Sequence, residues 1–77
     1  MKPESLIEFL AERPFKPLRL RLADGRHYEV VHPELAIVGE DFVTLGIPRS
    51  ADSKVAARLT HCSLAHVVEV EPVAATG

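Results

Sequence analysis

From Leu18 to Leu22 the chain reads Leu-Arg-Leu-Arg-Leu. A helix would throw Leu18 and Leu20 to opposite sides of its axis, whereas a strand puts all three leucines on one face and both arginines on the other. This stretch therefore predicts a half-buried β-strand. Asp24-Gly25 follows it after Ala23. That pair is among the strongest hairpin signals, because glycine tolerates the positive φ of a tight turn. Residues 26–31 then form the returning strand, with Tyr28 and Val30 on a common face. A lone hairpin is marginal in water, so the rest of the chain must cover the leucine face.

The remaining pattern supplies that cover. His32-Pro33 breaks the ladder, since proline cannot donate a sheet hydrogen bond, and marks a strand end, a corner or an edge. Residues 35–38 read as a third strand and Gly39-Glu40-Asp41 as a turn. Residues 42–47 read as a fourth strand, with Val43, Leu45 and Ile47 on one face. The stretch 48–57, rich in small and charged residues, is the one long loop and is expected to be mobile. Residues 58–70 complete the sheet, with Ser63-Leu64-Ala65 as a 3₁₀ corner splitting two strands. The tail, 73–77, is expected to fray.

Ahead of the strands the period is helical. Residues 4–13 carry an acidic stripe, Glu4, Glu8 and Glu12, beside an apolar face of Leu6, Ile7 and Leu10. Ser5-Leu6-Ile7-Glu8 matches a capping box, and Pro14 stops the helix. Short strands joined by tight turns cannot leave an apolar face in water, so they are expected to curl round one core. The expected architecture is mainly β: an N-terminal helix, then a five-stranded small barrel over about residues 17–71, in a single domain spanning residues 1–77.

Composition narrows the function classes. Nine Lys and Arg against eleven Asp and Glu give a net charge of −2. Proteins that coat DNA carry a cationic excess to neutralise phosphates, so DNA is not an expected partner. A single cysteine, Cys62, rules out an intrachain disulfide framework. The acidic residues inside the N-terminal apolar stretch do not fit a signal peptide, and no apolar run is long enough to span a bilayer. A cytoplasmic protein without a membrane partner is expected. The apolar content of 47% in so short a chain fits a homo-oligomer that buries part of its surface.

No catalytic constellation stands out. His27, His32, His61, His66 and Cys62 are the metal suspects, yet the sequence has no CxxC, HExxH or helical HxxxH spacing, and on a strand His61 and Cys62 point apart. The same geometry denies Cys62 a base for nucleophilic catalysis. We expect no enzyme, no cofactor and no metal, with a His/Cys metal or redox site as the distant alternative. Arg19, Arg21 and Arg26 cluster on the wet side of the first hairpin as a candidate phosphate or RNA strip, although Asp24 and Glu29 lie within reach. His32-Pro33-Glu34 is the most unusual local word, either a ligand-facing corner or a rigid turn.

The hairpin LRLRLADGRHYEV and the segment THCSLAHVVEVEP, placed after a helix and short strands, resemble the Sm-like superfamily of SH3-like barrels, which includes the bacterial Hfq-type RNA chaperones. ERPFKPLRL, DGR, VHPE and CSLAHV together are similar to a group of short, uncharacterised bacterial proteins with an Sm-like barrel. The resemblance implies the barrel, RNA binding as an alternative function, and rings formed by pairing edge strands. In Sm-type pairing these are the fourth and fifth strands, here 42–47 and 66–70. Where RNA-binding members have a Lys-His or Arg-Gly step this chain has His61-Cys62, and where they have Asp or Asn it has His32-Pro33-Glu34. Contacts to RNA thus do not transfer residue by residue. Arg19, Arg21, Arg26, His32 and His61 remain the candidate contacts for RNA or another ligand. A non-enzymatic binding or assembly module that self-associates through its edge strands, with a protein or RNA partner, is the leading expectation.

Overall fold

The computed structural model describes residues 1–73. A helix, α1 (Pro3–Ala11), precedes six strands: β1 (Leu18–Leu22), β2 (His27–Val30), β3 (Ala36–Val38), β4 (Phe42–Pro48), β5 (Ala56–Ser63) and β6 (Val67–Pro72). They form two antiparallel three-stranded sheets, ordered β2-β1-β6 and β3-β4-β5. Among the described residues no closed five-stranded barrel forms. The region expected to finish one sheet, 58–70, belongs to both: a 3₁₀ turn, Leu64–His66, carries the chain from β5 in the second sheet to β6 in the first. That turn lies one residue beyond its predicted place. It is held by the buried Leu64 and by its N–H, which donates to Asp41 O at 2.9 Å.

The predicted hairpin of β1 and β2 is present. Leu18, Leu20 and Leu22 are buried, whereas Arg19 and Arg21 face outward. The loop is three residues long, Ala23 to Gly25. Leu22 N–H donates to Arg26 O at 2.8 Å, and Gly25 N–H donates to Leu22 O at 3.0 Å. Gly25 sits at φ 92°, the left-handed position that such a loop reserves for glycine.

Three other boundaries differ from expectation. The helix runs Pro3–Ala11 rather than 4–13, with Pro3 in its first turn and Lys2 at the N-cap. Proline is pre-set for the first helical position, so the helix starts ahead of Ser5 and the Ser5–Glu8 box is not used. Its far end stops at Ala11, where Glu12 is already extended, and Arg13 Nη1 donates to Leu10 O (3.0 Å) and Glu12 O (2.7 Å). Leu35 belongs to a 3₁₀ turn, Pro33–Leu35, which shortens the third strand to Ala36–Val38. The long loop contracts to 49–55, because Pro48 and Ala56 pair at the ends of β4 and β5. Of the tail, Val73 N–H donates to Pro17 O at 2.9 Å, and residues 74–77 lie outside the described residues.

One core joins everything. Leu6 of the helix, the three β1 leucines, Val30, Val43, Leu45, Cys62, Leu64 and Val67 form a single buried cluster drawn from both sheets. Among the described residues no helix is long and apolar enough to cross a membrane.

Candidate functional site

The candidate basic strip is a neutralised surface. On the outer side of the first sheet, β1 lies between β2 and β6, with Arg19 opposite both Glu29 and Glu71 and Arg21 opposite Glu69. Arg19 Nη2 reaches Glu29 Oε2 at 3.1 Å, and Arg21 Nε reaches Glu69 Oε1 at 3.3 Å. Glu71 Oε1 lies 3.8 Å from both guanidinium groups. Two cations thus stand among three carboxylates, which leaves this face slightly acidic.

Arg26 is also engaged. At the hairpin tip its Nε donates to Asp24 Oδ2 at 2.8 Å, and its backbone N–H donates to Asp24 Oδ1 at 3.0 Å. The backbone bond, followed by the guanidinium, holds the Asp24 carboxyl below its ordinary value. The same partner raises the Arg26 pKa. The structure does not bring Arg19, Arg21 and Arg26 together as a free cationic strip. Glu29 and Asp24 were legible as partners. Glu69 and Glu71 were not, because only the β1–β6 register places them there.

His32 and Glu34 do share a place, as two anchors of the 49–55 loop. His32 Nε2–H donates to Ala51 O at 2.7 Å, and Lys54 Nζ lies 3.4 Å from Glu34 Oε2. The loop is further folded on itself. Ser50 Oγ donates to Asp52 Oδ1 at 2.7 Å, a bond that lowers the Asp52 pKa, and Val55 N–H donates to Ser53 Oγ at 3.1 Å. His32-Pro33-Glu34 therefore lies at a 3₁₀ turn and contacts the long loop through both His32 and Glu34.

His61 sits apart from all of these, on the outer side of the second sheet. It faces Thr44 across β4 and β5, and its Nδ1 is hydrogen-bonded to Thr44 Oγ1 at 2.7 Å. Its neighbour Cys62 is buried on the other side, and that burial pushes the thiol pKa up, away from the reactive thiolate. Among the described residues no group of three or more His, Cys, Asp or Glu is placed to hold a metal ion.

What the sequence reading missed is an apolar surface. In the second sheet Ile37 faces Thr44, and Leu59 faces Gly46. Ile37 and Leu59 are 64% and 62% exposed, and they flank a shallow groove whose lining includes Thr44 and Gly46. Beyond Leu59 lies the free edge of β5, and Val55 just before β5 is 75% exposed. β4 itself has no free edge, because β3 and β5 occupy both of its sides. The pairing expected of 42–47 with another copy is therefore blocked within the chain. Among the described residues the available edges belong to β2, β3, β5 and β6. A scan against protein-family models gives no match, and neither does a search of the curated proteins or of the solved structures.

Proposed function

We propose that this protein is a non-enzymatic assembly module with an Sm-like small-barrel plan, which self-associates through the free edges of its sheets. The observation that carries the reading is β5: an eight-residue strand with one side unpaired and Leu59 exposed on it. Unpaired strand edges are templates for further strands, and natural proteins shield them unless they are used. The barrel plan draws support from chain order. β2 and β3 are consecutive strands, separated by Val31, His32 and the 3₁₀ turn Pro33–Leu35. Counted as one bent strand, they give five strands wrapped on the single core.

The RNA-binding alternative draws no support from Arg19, Arg21 and Arg26, since each is matched by a carboxylate. Molar mass in solution tests the assembly reading. Growth of the average mass with concentration is expected, and a clean monomer at high micromolar concentration overturns it. Assembly through RNA would instead appear as mass that nuclease removes.

A further inference from the structure

We infer that the second copy docks on β5 itself, so that two molecules pair β5 with β5 antiparallel about a two-fold axis; this rests on the self-association proposed above. The four free edges are unequal. β3 has three residues and packs against α1. β2 has four residues and gives way to the His32-Pro33 corner. β6 is distorted: Arg21 pairs with Glu69 but Leu22 pairs with Val67, so Val68 is an extra, bulged residue, and the strand ends at Pro72. Bulges, prolines and very short length are the means by which edges resist addition of a strand. β5 has an irregularity only at its start, near Ala57, after which Arg58 to Ser63 pair in unbroken register with β4. That run holds no proline and no carboxylate.

Charge and shape favour β5 meeting its own copy. The carboxylates of β6 that could attract Arg58 are already held by Arg19 and Arg21. In an antiparallel pair, residues that face each other share one side of the sheet. Two-fold pairing centred on Leu59 meets that condition and places the two Leu59 side chains together, next to both grooves. It sets Arg58 opposite the second copy's Thr60 rather than its Arg58, which avoids facing like charges. Two three-stranded sheets then merge into one six-stranded sheet, the self-complementary contact of a two-fold dimer.

The test uses the full chain and four surface variants. Directly opposed antiparallel residues have Cα atoms about 4.5–5.5 Å apart, within the disulfide range of about 4.4–6.8 Å. Leu59→Cys is therefore expected to form a covalent dimer under mild oxidation. The unmodified chain, whose Cys62 is buried, is expected to form none. In sedimentation velocity, Leu59→Lys is expected to move dissociation to at least tenfold higher concentration, and Val68→Lys to leave it unchanged. Both positions are exposed, and circular dichroism verifies that each variant is folded. Equal weakening by Val68→Lys, or crosslinking of Leu59→Cys only when mixed with Val68→Cys, would mean that β5 pairs head to tail with β6. Either result overturns the two-fold dimer and leaves the assembly reading standing. A monomeric native chain at high micromolar concentration overturns both.

Discussion

On the outside of the β2-β1-β6 sheet, two arginines are interleaved with Glu29, Glu69 and Glu71. On the outside of the β3-β4-β5 sheet, the matching central positions hold Ile37, Thr44, Gly46, Leu59 and His61. The two sheets share a core, so the contrast lies wholly in their outer faces. Cross-strand ion pairs are a stable solution for a surface that stays in water. Exposed isoleucine and leucine beside an open strand edge are not, because removing that apolar area from water is favourable. The difference separates a face matched to solvent from one that carries exposed apolar side chains beside an open edge, the contact face proposed above.

The largest expected effects test whether the sheets are one unit at all. Leu20 under the first sheet and Leu45 under the second are almost fully buried, at 0% and 1% exposure. Truncating either to alanine should cost about 3 kcal/mol, since each leaves a cavity in the same core. That is a large part of the stability of a domain this size. Urea unfolding followed by far-ultraviolet circular dichroism and by Tyr28 fluorescence should give coincident single transitions for both variants. Separate transitions for Leu20→Ala and Leu45→Ala would break the shared-core premise of the comparison.

A smaller effect probes the floor of the apolar groove. A Cβ built on Gly46 would lie 2.9 Å from the Ala56 Cβ and 3.2 Å from Leu35 Cδ2. Gly46→Ala should therefore cost about 1 kcal/mol through crowding between β4, β5 and the 3₁₀ corner. A denaturation midpoint equal to or above that of the native chain would show that β5 can move away from β4 freely, and would weaken β5 as a preformed docking edge.

These contrasts also show which features local sequence could specify. The alternation of Leu18–Leu22, the Asp24-Gly25 turn, the 39–41 turn and the corner near Leu64 depend on neighbours within a few residues, and each is legible. The closed barrel, the placing of 42–47 at an edge, and the free arginine strip all depended on which distant strands meet. Glu69 and Glu71 lie some fifty residues beyond Arg19 and Arg21, and no local rule pairs them. Their spacing of two fits a common face of a strand but says nothing of which strand lies beside it. The exposed Ile37 and Leu59 were obscured for the same reason. Each reads locally as a core residue, and only the sheet order turns its side chain outward.

Breaking one outer ion pair should matter less than either glycine or core substitutions. Arg21→Gln removes contacts to Glu69 and Glu71 between side chains that are about half exposed. Such pairs are worth well under about 1 kcal/mol and are screened by salt. A shift of the denaturation midpoint at low ionic strength that vanishes in high salt is expected. A salt-independent loss would mean that the arginine stem, rather than its charge, supports the first sheet.

The smallest effect is a response to acid at the hairpin tip. Asp24 is held below its ordinary pKa of 3.8 by the Arg26 backbone N–H and guanidinium. A carboxyl with a lowered folded-state pKa stabilises the fold at pH values above its unfolded pKa. That contribution is lost as pH falls through the folded value. Glu34 and Asp52 are shifted in the same direction at the 49–55 loop, so acid should loosen the loop and the tip together. Thermal unfolding of the native chain should therefore shift downward as pH drops below about 4, the unperturbed carboxylate range. Asp24→Asn should be slightly less stable at neutral pH and lose less on acidification. If its acid response matched that of the native chain, the tip pair would be idle and the acid sensitivity would belong to the loop carboxylates.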